Sequence, residues 1–77
     1  MIEIYYKLEG LEGGKSANII YKEVSAVHGI EDITIDLQNQ RMAIRMEEEA
    51  APRIEYAVRV IIGCISPGIR VEKMGLD

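Results

Sequence analysis

Ile33-Thr34-Ile35-Asp36-Leu37-Gln38-Asn39-Gln40-Arg41-Met42-Ala43-Ile44-Arg45-Met46 is the stretch that decides the fold. Ile33, Ile35 and Leu37 alternate with Thr34 and Asp36, and Met42, Ile44 and Met46 alternate with Arg41, Ala43 and Arg45. Period two marks a strand with one covered face. Gln38-Asn39-Gln40 leaves room for a turn and nothing longer, so the two runs predict an antiparallel hairpin.

Working outward, a helical pattern flanks the hairpin on each side. Before it, Ala17, Ile20, Val24 and Val27 recur at the helical period. Ser16 is the expected N-terminal cap, and Gly29 after His28 the expected left-handed stop. After the hairpin, Glu47-Glu48-Glu49 puts negative charge at the positive end of a second helix, and Pro52 suits its first turn. Ile54, Ala57, Val58, Ile61, Ile62 and Ile65 form its apolar face, and Ser66-Pro67-Gly68 breaks it. Outermost lie two more strands. In the first, Ile2, Ile4, Tyr6 and Leu8 alternate with Glu3, Tyr5, Lys7 and Glu9; in the last, a short one, Ile69, Val71 and Lys73 alternate. Gly10 to Gly14, rich in glycine, is a loop.

The order is β-α-β-β-α-β. Each strand hides one face, so two helices cover one side of a four-stranded sheet. Right-handed crossovers then favour the α+β, ferredoxin-like two-layer sandwich with antiparallel strand order 4-1-3-2. Ile20 and Ile61 are expected at the centre of its core.

Length and composition bound the rest. Seventy-seven residues make one domain, 1–77. With 48% hydrophobic and 29% charged residues the chain reads as a folded soluble globule rather than a disordered tail. Its longest apolar run, Val60 to Ile65, is far too short to span a bilayer, so no direct membrane insertion is expected. Met1 to Lys7 lacks the pattern of a secretory signal, which makes the cytoplasm the expected compartment. A net charge of −4 without a basic run leaves no electrostatic footprint for nucleic acid. The outward strand residues, with Tyr5 the one aromatic among Glu3, Lys7, Glu9, Arg41, Ala43, Arg45 and Glu47, do not form a base-stacking platform. No nucleophile–base pair is visible, so the chain reads as no enzyme.

Each residue with chemical potential also has an ordinary structural reading. Cys64, the one thiol, excludes an internal disulfide and any multi-thiolate zinc site within one chain. It reads first as a small, semi-buried packing residue. His28 reads as a solvated helix-end histidine at the edge of the sheet opposite Cys64. Gly13-Gly14-Lys15-Ser16 follows a strand and opens a helix, but Gly10 stands too close for a nucleotide phosphate loop. Glu47-Glu48-Glu49 reads as a solvated face. Ile19, Tyr56 and Val60 lie off the apolar helix faces, and together with Leu11 they suggest an exposed apolar rim.

Leu8-Glu9-Gly10-Leu11-Glu12-Gly13-Gly14-Lys15-Ser16-Ala17, followed by Ile20, Val24, Val27, Gly29-Ile30, Ile33, Ile35-Asp36-Leu37 and Ala57-Val58, resembles the heavy-metal-associated domain of copper chaperones and metal-transporting P-type ATPases. The likeness covers essentially the whole chain and is strongest from Ala17 to Leu37. In that family the first loop carries a Gly-Met-x-Cys-x-x-Cys motif that binds Cu(I), Zn(II) or Cd(II). Here Gly10 matches the glycine, Leu11 stands at the methionine, and Gly13 and Ser16 fall at the two cysteines, so the Cys-x-x-Cys pair is missing. Glycine offers no ligand, and a serine hydroxyl is a poor ligand for a soft ion.

The resemblance therefore implies a small non-catalytic module of metal homeostasis with a degenerate metal loop, no resident cofactor or metal, and a protein-interaction role. The partner it implies is another protein or domain in metal handling, with the chain a monomer or weak homodimer. The interaction loop is expected at Gly10, Leu11, Glu12, Gly13, Gly14, Lys15 and Ser16, with Cys64 beside it. Two alternatives stand next to this reading. One is direct Cu or Zn binding through an unusual or dimeric site using Cys64. The other is a small-molecule regulatory domain of the ACT type, which shares the topology.

Overall fold

A computed structural model describes residues 1–76. Its elements follow the expected order: β1 (Ile2–Glu9), α1 (Gly14–Ser25), β2 (Ile30–Asp36), β3 (Arg41–Met46), a 3-10 turn (Glu48–Ala50), α2 (Ala51–Ile65) and β4 (Arg70–Leu76). The strands form one sheet in the order β2-β3-β1-β4, the same as 4-1-3-2, and its pairings are antiparallel. The chain thus has the ferredoxin-like α+β fold.

Alternation in the sequence becomes separation of faces. Ile4, Tyr6 and Leu8 of β1, Met42, Ile44 and Met46 of β3, and Ile33 of β2 point into the core. Ile20 and Val24 of α1 and Ile54, Val58 and Ile62 of α2 close it from above. Ile20 is fully buried as expected, but Ile61 is only partly buried and flanks the core, with Ile62 taking the central place. A fifteen-residue helix over a flat layer buries a stripe at i, i+4 and i+8, and 54, 58, 62 is that stripe.

The element ends differ from expectation. Helix α1 begins at Gly14 with Gly13 as its N-cap, and no side chain caps it, so Ser16 lies inside the first turn rather than at the cap. The glycine-rich loop lets the chain enter helical geometry earlier than a hydroxyl cap would suggest. The helix ends at Ser25, and Gly29, at φ 102°, serves the turn into β2 instead of the helix stop. A Cβ on Gly29 would lie 3.0 Å from the Arg53 guanidinium and 3.2 Å from both Ala50 Cβ and Ile54 Cδ1, so packing as well as φ calls for glycine there. β2 starts three residues earlier than the alternation suggests, through a register irregularity between Ile30 and Asp32, and Leu37 falls in the turn. β4 extends to Leu76, longer than the expected short strand.

The hairpin turn is held locally. Asp36 accepts hydrogen bonds from the Asn39 backbone N–H (3.2 Å) and side-chain amide (2.7 Å). These bonds hold the Asp36 carboxyl below its ordinary range. Gln40, at φ 54°, closes the turn, and its carbonyl accepts from Leu8 N–H of β1 at 2.7 Å.

Candidate functional site at the first loop

The loop between β1 and α1 forms one mouth of the sandwich. Gly10 leaves β1 at φ 94°, where a Cβ would lie 3.0 Å from the Gly68 carbonyl oxygen. The first loop and the turn after α2 therefore press backbone against backbone. Ser66 ends α2, its N–H donating to Ile62 O at 2.8 Å, and Ile69 N–H donates back to Ser66 O at 3.0 Å. Gly10, Glu12 and Ser16 from the loop and Ser66, Gly68 and Ile69 from the turn line an open hollow of about 420 Å³.

Leu11 does not join an exposed rim. It is 2% exposed and packs into the core cluster. Its N–H donates to Leu8 O at 3.2 Å, and its carbonyl accepts from the Gln40 side-chain amide at 2.9 Å. Leu11 thus anchors the loop, and Gln40, a residue that sequence reasoning placed only in a turn, clamps it from the β2–β3 hairpin. Glu12, Gly13, Gly14 and Lys15 are exposed and Ser16 is half-buried. The other three rim residues are exposed as expected, Tyr56 most of all at 73%.

Cys64 is an exposed free thiol, not the semi-buried packing residue of the sequence reading. It lies on the last turn of α2, near the mouth in sequence, but it is not among the residues lining the hollow. His28 is exposed at the other end of the helix layer, where its carbonyl accepts from Arg53 at 2.7 Å. Arg53 and Cys64 are eleven residues apart on α2, roughly 16 Å along the axis, so the histidine end and the thiol end are well separated.

The donors at the mouth are oxygens: the Glu12 carboxylate, the Ser16 and Ser66 hydroxyls, and backbone carbonyls. These are hard ligands that match poorly with Cu(I). Among the described residues, no group of three or more His, Cys, Asp or Glu side chains is gathered as a metal site. The first turn of α1 itself holds no acidic residue and carries the exposed Lys15, while the Glu12 carboxylate stands just before it at the mouth. No helix among the described residues is long and apolar enough to cross a membrane.

No family model matches the chain, and no curated protein matches its sequence. Solved structures do match its fold. The chain resembles the yeast copper transporter domain solved in apo and Cu(I)-loaded states, with 17% identity, 97% of each chain covered and a TM-score of 0.79. It resembles the N-terminal domain of a potential copper-translocating P-type ATPase from Bacillus subtilis in its Cu(I)-loaded state, with 14% identity, 99% of this chain and 90% of that one covered, and a TM-score of 0.76. A chain from the solution complex of Atx1, Cu(I) and Ccc2a matches with 17% identity over 97% of each chain at a TM-score of 0.74. At these identities the likeness is one of fold, and it runs the full length of the chain.

Proposed function

We propose that this chain is a non-catalytic interaction module of metal handling, built on the scaffold of copper-transport domains but with a first loop that has lost its thiolates. The carrying observation is the mouth itself. The scaffold is shared along its length with copper-transport domains, while the loop offers glycines, hydroxyls and a carboxylate where a soft ion needs sulfur. One of the matching structures is the Atx1–Cu(I)–Ccc2a complex, so a chain of this fold takes part there in a protein complex. In the present chain the contact would use the exposed segment Glu12-Gly13-Gly14-Lys15 and the half-buried Ser16 at its inner end. Gly10 and Leu11 hold that segment in place from beneath.

Two titrations of the reduced, isotope-labelled chain followed by NMR test this reading. With Cu(I) or Zn(II), the monomer shows no stoichiometric tight binding, and stoichiometric uptake at the loop would overturn the proposal. With a copper-transport domain that carries its own Cys-x-x-Cys pair, amide shifts gather at residues 12–16, and shifts confined to the open face of the sheet would count against it.

The exposure of Cys64 supports one further reading, in which two copies share a soft ion through their Cys64 thiolates. That version requires metal-dependent dimerisation that Cys64→Ala abolishes. Uptake that persists in the variant removes it.

A further inference from the structure

Strand β2 is an edge of the sheet, paired with β3 on one side only. Edge strands are commonly guarded by lysine, proline or a bulge. The sequence of β2, Ile30-Glu31-Asp32-Ile33-Thr34-Ile35-Asp36, has neither lysine nor proline, and its register irregularity lies at the start, between Ile30 and Asp32. Ile33-Thr34-Ile35 is regular, β-branched throughout and open on its outer side.

The two faces of this edge differ in chemistry. On the helix side, Ile33 and Ile35 face Ala17 and Tyr21 of α1, and with Leu37 they line an apolar groove of about 440 Å³. Tyr21 is 48% and Leu37 38% exposed, so the groove has an unfilled apolar rim. On the open side, Asp32, Thr34 and Asp36 are exposed, with acids at i and i+4. Their register partners Arg45 and Arg41 stand on the inboard strand β3, which leaves the outboard flank of both acids without a basic neighbour in the sheet. A second copy paired antiparallel about Thr34 would set Asp32 of each chain opposite Asp36 of the other, two like-charge pairs on one face.

We propose that the β2 edge receives a fifth strand from another protein, an extended segment of the form basic–apolar–any–apolar–basic. Period two sends the two apolar residues into the groove beside Ile33 and Ile35, and the two basic residues onto the open face beside Asp32 and Asp36. Main-chain hydrogen bonds to the edge supply affinity, and the groove and the acids supply selection. This surface touches the loop segment of the proposed function only at Gly14, which lines one end of the groove, and does not depend on that function.

The test uses the full labelled chain and the synthetic peptide Ser-Lys-Val-Thr-Val-Lys-Ser, with Ser-Glu-Val-Thr-Val-Glu-Ser as its charge-reversed counterpart. The basic peptide shifts the amides of residues 33–36 together with Ala17 and Tyr21, and slows hydrogen exchange along β2. Asp32→Lys, at an exposed position, weakens the basic peptide about tenfold and strengthens the acidic one. Absence of shifts at millimolar peptide overturns the proposal, as do shifts centred elsewhere, equal binding of the two peptides, or β2 shifts that develop when the chain alone is concentrated. The last outcome would identify a second copy as the occupant.

Discussion

The Tyr6 hydroxyl is buried beneath α2 and finds no hydrogen-bond partner among the described residues. Burial pushes its phenol up from 10.0 to about 12, the nearby Glu55 carboxylate adds to the rise, and the Arg59 guanidinium opposes it. Leaving such a hydroxyl unpaired costs on the order of 1–3 kcal/mol, so the ring contributes by its apolar area and not by its oxygen. Tyr6→Phe is therefore expected to hold or raise stability, by up to about 1 kcal/mol at neutral pH, in urea unfolding. The pH dependence follows with a definite sign. Between pH 10 and about 12 the unfolded chain has released this proton while the folded chain retains it. The native state then binds more protons, and stability falls as pH rises through that window. Wild type loses stability there relative to Tyr6→Phe. Parallel curves for the two proteins would show that Tyr6 is not held protonated by the fold.

At the scale of elements, Gly63 stands in the interior of α2 on an exposed position, and a Cβ placed there meets nothing within 4 Å. Glycine in a helix interior is worse than alanine by about 0.5–1 kcal/mol, mainly through the freedom it gives the unfolded chain. Gly63→Ala is expected to raise the urea midpoint by that increment without changing the m-value; a loss of stability would mean that this face of α2 is covered in solution. The same elements show what the sequence made legible. Strands and helix faces were readable because burial imposes periods of 2 and 3.6 on neighbouring residues, and β1, β3 and both helices follow them. The ends were less readable. Ser16 has the chemistry of a cap, but chain path decides capping, and Gly13 admits the left-handed entry that places the cap three residues earlier. Leu11 looked exposed because it sits among glycines. It packs into the core, and its carbonyl is held by Gln40, twenty-nine residues away, a long-range arrangement that no local pattern reveals. In sequence Cys64 reads as packing because free cysteine usually is, yet the buried stripe of α2 passes through 54, 58 and 62 and leaves 64 outside it.

At the scale of the molecule, one hydrophobic cluster joins both helices to β1, β2 and β3, with β4 adding Val71 at its margin. β1 lies at the centre of the sheet and pairs with both β3 and β4, so neither half of the chain has a core of its own. A chain of this size and connectivity should unfold in a single transition. Far-UV circular dichroism, which reads the helices, and tyrosine fluorescence, which includes the buried Tyr6 ring, should therefore share one midpoint. Ile20 provides the sharper test because it is fully buried in α1, whereas its neighbour Ile19 is 40% exposed. Ile20→Ala is expected to cost about 2–5 kcal/mol and to move both signals together, while Ile19→Ala stays within about 0.5 kcal/mol. Against a total of roughly 5–15 kcal/mol for a small domain, the Ile20 loss brings the chain close to the unfolding threshold at ambient temperature. If the two signals separate in Ile20→Ala, with tyrosine fluorescence unchanged while helicity falls, then α1 is a detachable layer and the shared core inferred from its packing does not bind the two layers into one cooperative unit.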